Sequence, residues 1–210
     1  MKSQYNEEEI ILRYAAQPAR FLEIGAYDGV FLSNTYCLLE RGWKGVMVEP
    51  SPEAFLKLRD NLKQFQDNIQ LVNCAISNKH GLTKFFECDE SSTNYIKSVS
   101  TVMPSHVQWW GSQNSYPKPR FREFHVATVP LIDVLNQFGY DFGFVNIDVE
   151  SANQMVLSQL PISKMPTLQL VCVEKDHHSD RYDKYLPGFE LAGETPANLI
   201  YARKKRKLFL

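Results

Sequence analysis

The stretch Arg20-Phe21-Leu22-Glu23-Ile24-Gly25-Ala26-Tyr27-Asp28-Gly29-Val30 decides the fold. Residues 20–24 are short and apolar and run straight into Gly25, the pattern of a strand covered on both faces that ends in a tight turn. Upstream, Glu7 to Ala16 reads as a helix with Ile10, Ile11 and Tyr14 on one face. Downstream, Ser33 to Arg41 reads as a helix stopped by Gly42, and Gly45 to Glu49 as a second apolar strand. Ser51 then has the place of an N-cap, with Pro52 at the first helical position and Phe55, Leu58, Leu62 and Phe65 on one face. Ile69 to Asn73 is a third strand, so the first third of the chain is βαβαβ: a parallel sheet covered by helices.

The middle of the chain breaks this rhythm. Leu82 to Glu87 reads as a short extra strand, and Asp89 to Phe124 shows little periodicity. A stretch that long without elements is expected to be a lid or binding loop, which places an acceptor-binding insertion at residues 98–124. The alternation then resumes. Pro130 to Phe138 is a helix ended by Gly139, and Phe142 to Ile147 a strand. Ser151 to Leu160 is a helix whose Ser151 and Gln154 have capping-box spacing, and Leu168 to Glu174 is a strand. Phe189–Leu191 and Asn198–Ala202 are expected to close the sheet as an antiparallel hairpin. The expected class is α/β, a Rossmann-like, mostly parallel sheet of about seven strands with helices on both faces. It is read as one domain over residues 1–210, with a basic tail at 203–210.

Composition removes other classes. The chain has 210 residues, 44% hydrophobic and 22% charged, which excludes disordered, collagenous and disulfide-scaffold proteins. Lys plus Arg is 23 against 24 for Asp plus Glu, a net charge of −1, which argues against general nucleic-acid binding. No apolar run approaches the roughly 18–20 residues of a membrane span. The polar, acidic start Met1 to Glu9 has no signal-peptide core, and the four cysteines form no CxxC pair, so a cytoplasmic protein with reduced thiols is expected.

Ligands of open parallel sheets bind beyond the carboxyl ends of the strands. There Gly25 is followed by Tyr27 and Val30, not glycine, at the second and third places of a dinucleotide fingerprint. The loop carries Glu23 and Asp28, which would repel a pyrophosphate. Acids suit a ligand with an ammonium and a sulfonium; S-adenosylmethionine has both and no phosphate. Glu49 ends the second strand 24 residues after Gly25, where an acid can accept both hydroxyls of a ribose. Small side chains at Asn73-Cys74-Ala75-Ile76 can bracket an adenine edge.

These residues carry a family resemblance. Glu23-Ile-Gly-Ala-Tyr-Asp-Gly29, Gly42-Trp-Lys-Gly-Val-Met-Val-Glu-Pro50, Thr128-Val-Pro-Leu-Ile-Asp-Val-Leu135 and Val145-Asn-Ile-Asp-Val-Glu-Ser-Ala-Asn153 together resemble the FkbM family of class I S-adenosylmethionine-dependent methyltransferases, over roughly Arg20 to Leu160. The resemblance implies a seven-stranded Rossmann-like sheet and methyl transfer, typically to a hydroxyl of a sugar or secondary metabolite, with S-adenosylhomocysteine as the co-product. It assigns Glu23, Gly25, Asp28, Gly29 and Glu49 to the cofactor. With Ala26, Asn34, Pro50, Ser51, Ala75 and Asp148 they make the candidate cofactor set. The family usually has Asp-x-Glu-Gly-x-Glu after the fourth strand of its sheet; here Ser151 stands for the glycine and Asn153 for the last acid.

Candidate catalytic residues are Asp148, Glu150 and His177, at the ends of the strands beside the cofactor's methionine. Three readings of them stand. Asp148 or His177 is a general base; Asp148, Glu150 and Asp176 or His177 hold a divalent cation, by analogy of position with catechol O-methyltransferases; or the charges are a hydrogen-bonded scaffold. Trp109, Trp110, Tyr116, Phe121 and Phe124, interleaved with Lys118, Arg120 and Arg122, either stack on an acceptor or pack the lid. The expected partner is a small-molecule or glycan hydroxyl acceptor. A protein that binds the cofactor without catalysis, and an RNA or cap methyltransferase suggested by the basic run Arg203 to Lys207, are the alternatives.

Overall fold

The computed structural model describes residues 2–15, 17–89, 98–113, 118–176 and 181–205. Strands β1 (Arg20–Ile24), β2 (Lys44–Val48) and β3 (Ile69–Val72) alternate with helices α1 (Glu7–Tyr14), α2 (Tyr36–Leu39) and α3 (Pro52–Asn61). Two further strands, β4 (Ala75–Ile76) and β5 (Gly81–Cys88), precede α4 (Pro104–Ser112) and β6 (Phe121–Val129). The chain ends in α5 (Leu131–Phe138), β7 (Phe144–Ile147), α6 (Asn153–Leu157), β8 (Leu170–Glu174), β9 (Phe189–Glu194) and β10 (Asn198–Arg203).

The main sheet has seven strands in the order β3-β2-β1-β7-β8-β10-β9. The first five of these, from the edge strand β3 to β8, are parallel, and β10 runs antiparallel to both β8 and β9. Both faces are covered, which is why the strands read as continuous apolar runs. Leu22, Ile24, Val145 and Ile147 pack with Leu135 of α5 and Val156 of α6 on one face. Phe21, Met47 and Phe144 pack with Ile11, Leu38 and Leu58 on the other. From β1 the chain winds outward through β2 and β3, then returns to lay β7 on the opposite edge of β1. The topological switch therefore lies between β1 and β7, at the end of the stretch that decides the fold.

Three expectations need correction. The helix expected over Ser33–Arg41 is only Tyr36–Leu39, because the Ser33 hydroxyl accepts the backbone N–H groups of Thr35 (3.3 Å) and Tyr36 (3.1 Å) and holds the preceding residues in a turn. The expected element-free stretch Asp89–Phe124 contains α4 and the start of β6. Leu82–Glu87 is part of an eight-residue strand that pairs with β6 along its full length in a separate sheet, β4-β6-β5. The helix expected from Ser151 starts at Asn153 and the capping box is not formed: Ser151 is left-handed (φ 75°) and its hydroxyl bonds elsewhere. All four cysteines are free and buried. Among the described residues no helix is long and apolar enough to cross a membrane.

The ends of β1 and β7 approach so closely that Gly25 has no room for a side chain. A Cβ at Gly25, whose φ is +88°, would lie 1.7 Å from the backbone oxygen of Asp148. Gly42 has a similar φ, +78°, but open space around it. Gly42→Ala should therefore cost about 1–2 kcal/mol, the strain of a left-handed residue. Gly25→Ala should cost more than about 3 kcal/mol, since backbone must move. Urea unfolding of the two variants checks this; equal losses would refute the close-approach argument.

Candidate functional site

A cavity of about 480 Å³ opens at the switch point, within the size range of small-molecule sites. Its floor is the ends of β1, β2, β7 and β8. Cys74, Ala75 and Ile76 form one wall, and residues 98–102 with Trp110 of α4 the roof. Residues 98–113 are tied down by several contacts, among them the Cys88 backbone N–H, which donates to the Ser100 hydroxyl (3.0 Å). Thr101 exchanges backbone hydrogen bonds with Phe86 (2.8 and 3.0 Å), the Thr101 hydroxyl donates to the Glu150 carbonyl (2.6 Å), and His106 reaches Ser151.

Glu23 is buried on the α2 side of β1. Its carboxyl accepts from the Thr35 hydroxyl (2.7 Å) and from the Asn146 amide (3.2 Å). Asn146 in turn accepts from the Asn34 amide nitrogen (3.2 Å), which fixes the Asn34 side chain with its carbonyl oxygen turned the other way. That Oδ1 is the one buried side-chain polar atom without a hydrogen-bond partner among the described residues, and Asn34 lines the cavity. Glu49, at the end of β2, accepts the backbone N–H of Tyr27 on one oxygen (2.7 Å) and that of Ser51 on the other (2.8 Å). Ser51 caps α3 by accepting from Ala54 (3.0 Å) and donates to Glu87, which also takes Arg122.

Gly25, Ala26, Pro50 and Ala75 line the same cavity, so most of the expected cofactor set is brought together. Asp28 and Gly29 do not line it. The Asp28 carboxylate closes its own loop, accepting from Val30 (2.9 Å) and Phe31 (2.7 Å). Gly29 sits beneath α3, where a Cβ would meet Leu58 and Leu62 at 2.5 and 2.8 Å.

Asp148, Glu150 and Glu174 present oxygens within 4.8 Å of one another at the far end of the cavity. Three carboxylates that close and that buried cannot all be charged. Burial raises Asp148 to about 6, with a hydrogen bond from Glu174 holding it down against further increase. Burial and the neighbouring acids hold Glu150 and Glu174 well above the usual carboxylate range, so Asp148 is the ionised member. Asp176 is held by Tyr182 (3.1 Å) and Asn153 (2.7 Å). His177 lies outside the described residues, as does Tyr116.

Both departures from the family pattern have a local physical cause. Asn153 accepts from Val149 N–H (3.1 Å) and donates to the Glu174 carbonyl (3.3 Å) and to Asp176. An acid there would turn repulsive oxygens on both acceptors. Ser151 keeps the left-handed backbone that glycine favours, next to a left-handed Glu150 (φ 47°), at a cost of about 1–2 kcal/mol per residue. Its hydroxyl lies 2.8 Å from His106 Nδ1.

His106, Glu87 and Glu174 belong to this constellation and carry no motif of their own, and Asn146 lies within the Val145–Asn153 stretch without a role assigned to it there. His106 and Glu87 sit in the region whose elements the sequence pattern hides. The lining holds eight acids (Glu23, Glu49, Glu53, Glu87, Asp89, Asp148, Glu150, Glu174) against Arg122 and Lys175. Arg122 is paired with Glu53 and Glu87, and Lys175 with Glu194 (2.6 Å). Such a lining repels phosphates and attracts cations.

Residues 23–191 match the model of the methyltransferase FkbM domain. The chain belongs to this family. A methyltransferase FkbM from Methylobacillus flagellatus has the same fold, with a TM-score of 0.54 and 14% identity over 88% of this chain. This FkbM-family chain spans 43% of the length of that protein. The yhhF protein of Escherichia coli (TM-score 0.50, 15% identity, 98% of this chain and 90% of that one) shares the fold. So does a methyltransferase from Geobacter sulfurreducens (0.50, 10%, 95% and 78%). No curated protein sequence matches the chain.

The buried acids make a pH prediction. Burial pushes Glu23 and Glu49 up to about 8 and Asp148 to about 6. A carboxyl whose pKa is raised on folding makes the native state hold more protons than the unfolded chain between the two values, so stability falls as pH rises through that window. The thermal midpoint of the ligand-free protein should decline from pH 6 to pH 9, and less steeply in Glu23→Gln. Calorimetry showing a midpoint that rises over this range would refute the assignment.

Proposed function

We propose that this FkbM-family protein is an S-adenosylmethionine-dependent methyltransferase acting on a hydroxyl of a sugar or related metabolite. The observation that carries the reading is an acid-lined cavity at the β1/β7 switch to which the strands on either side of β1 each bring a carboxyl, Glu49 after β2 and Asp148 after β7. The donor set fits the cofactor. The Tyr27 and Ser51 N–H groups orient Glu49 for a ribose diol, and Cys74, Ala75 and Ile76 offer an apolar wall for adenine. Glu23 and the unpartnered Asn34 oxygen are the acceptors for an ammonium. When bound, the cofactor supplies an electrophilic methyl on a positive sulfur.

The protein's own residues then do three things. The cavity walls hold acceptor and methyl donor in line, which converts an encounter into a positioned reaction. Asp148, the carboxylate ionised near neutral pH, would take the proton that the acceptor hydroxyl gives up on receiving the methyl group. Residues 98–113, with Trp110 facing the cavity, cover the acceptor side and exclude water. In this reading Asp28 and Gly29 shape the loop and do not touch the ligand.

Glu49→Ala should weaken S-adenosylmethionine binding by about 2–4 kcal/mol in calorimetry at about pH 8.5, where Glu49 is ionised and a charge-assisted bidentate contact is lost. Wild-type affinity should rise between pH 6 and 8.5 as Glu23 and Glu49 ionise, more for the cationic cofactor than for neutral S-adenosylhomocysteine. Unchanged affinity in Glu49→Ala would remove the ribose assignment.

Asp148→Asn should lower turnover by about 10²–10⁴-fold, with cofactor affinity changed only a few-fold, once a hydroxyl acceptor is found by screening pools with labelled cofactor. Full turnover in Asp148→Asn would leave positioning alone as the mechanism. Turnover abolished by chelator and restored by magnesium would reassign the acids to a cation. Cofactor binding with no turnover on any pool would leave a binding protein.

A further inference from the structure

One buried imidazole outside the cavity lining holds two side chains that are part of it. His106, on α4, is 1% exposed. Its Nδ1 lies 2.8 Å from the Ser151 hydroxyl. Its Nε2 accepts the indole N–H of Trp110 at 2.9 Å and lies 3.2 Å from a Glu150 oxygen. Trp110 and Glu150 both line the cavity, one from the roof and the other from the strand-end turn. We propose that His106 is a positioning residue: it fixes the Trp110 ring and the Glu150 carboxyl against the acceptor side of the cavity and, through Ser151, latches the roof to the turn that carries Asp148. The proposal rests on the methyltransferase reading for what the cavity binds, not for the latch itself.

The hydrogen bonds dictate where the protons are. Nε2 takes a hydrogen from Trp110, so it carries none, and the ring is neutral with its proton on Nδ1, donated to Ser151. A bare Nε2 beside a charged Glu150 would set two lone pairs against each other. Glu150 is therefore the neutral acid, its hydroxyl sharing the Nε2 lone pair with the Trp110 N–H. The groups that face Glu150 from its surroundings agree: Asp148 and Asp176 are acids, and both oppose a further negative charge. The same proton placement excludes a hydrolytic Ser-His-Glu triad, because the ring donates to Ser151 and cannot take its proton. It also gives Ser151 its purpose. Glycine would suit the backbone at φ 75° but would remove the hydroxyl that meets Nδ1 at 2.8 Å.

Three measurements on the full chain test this, none needing turnover. Nitrogen-15 NMR of the imidazoles should show His106 as the neutral form protonated on Nδ1 from pH 6 to 8. Infrared spectra should contain a protonated-carboxyl band, assigned to Glu150 by its loss in Glu150→Gln. That band should move to higher frequency in His106→Phe, which removes the acceptor, and return in His106→Gln, whose amide oxygen restores one. Ser151→Gly should relieve backbone strain, yet speed hydrogen exchange across residues 98–113 by tenfold or more. A band unmoved by His106→Phe, an imidazolium at pH 7, or exchange unaltered in Ser151→Gly would overturn the proposal. If His106→Phe does not fold, the NMR form and the Ser151→Gly exchange decide. Absence of S-adenosylmethionine binding in wild-type calorimetry would instead sink the methyltransferase reading and leave the latch standing.

Discussion

The rest of the structure hangs on the backbone contact between Gly25 and Asp148. Two parallel strands that carry the chain away in opposite directions must diverge at their ends, and the gap they leave is where a ligand can enter. Here the divergence begins with Gly25 pressed against the Asp148 carbonyl, with no space for even a methyl group. The Asp148 N–H donates to the Ile24 carbonyl (2.9 Å), and Gly25 and Ala26 donate to the Val48 carbonyl (2.9 and 3.1 Å). Three strand ends are thereby locked in register, and the carboxyls of Glu23, Glu49 and Asp148 are placed around one cavity as a consequence.

Gathering those carboxyls is costly, because each loses water on burial. The protein answers differently at each end. At β2, two backbone N–H groups donate to Glu49, and the Ser51 hydroxyl and Arg122 donate to the neighbouring Glu87. At β7 and β8 there is little cationic compensation, and protons are retained between the acids. A positively charged ligand relieves both situations at once. The site's selectivity therefore comes from the protein's own electrostatic discomfort as much as from shape.

The parallel core was legible because burial on both faces leaves uninterrupted apolar runs such as Leu170 to Val173. The glycine loop and the acid ending β2 were legible by position. The small sheet was not. In β6 the inward parity mixes Arg122 and Thr128 with Phe124 and Val126, and the outward parity mixes Phe121, Ala127 and Val129 with Glu123 and His125, so the alternation is too weak to read without its partner β5. In α4, one buried residue is a histidine and the helix contains Gly111, so neither propensity nor an apolar face announces it. Ser151 misled by type: serine before a helix suggests a cap, and only the His106 side chain, 45 residues away, explains why it is something else. Asp28 has a loop role that the sequence does not announce, since an acid in a glycine loop can serve the loop as well as a ligand.

The small sheet has a kinetic consequence. Strands β5 and β6 form a long two-stranded arm whose outer edge carries residues 98–113 over the cavity through the Thr101–Phe86 bridge. If this roof is the way out for a bound molecule, the molecule leaves only when the arm or its proposed latch yields. Its residence time is then set by how often the roof comes loose and not by the sum of its own contacts. A tightly held product and a weakly held one would depart at similar rates, and exchange at the site would follow the protein's breathing.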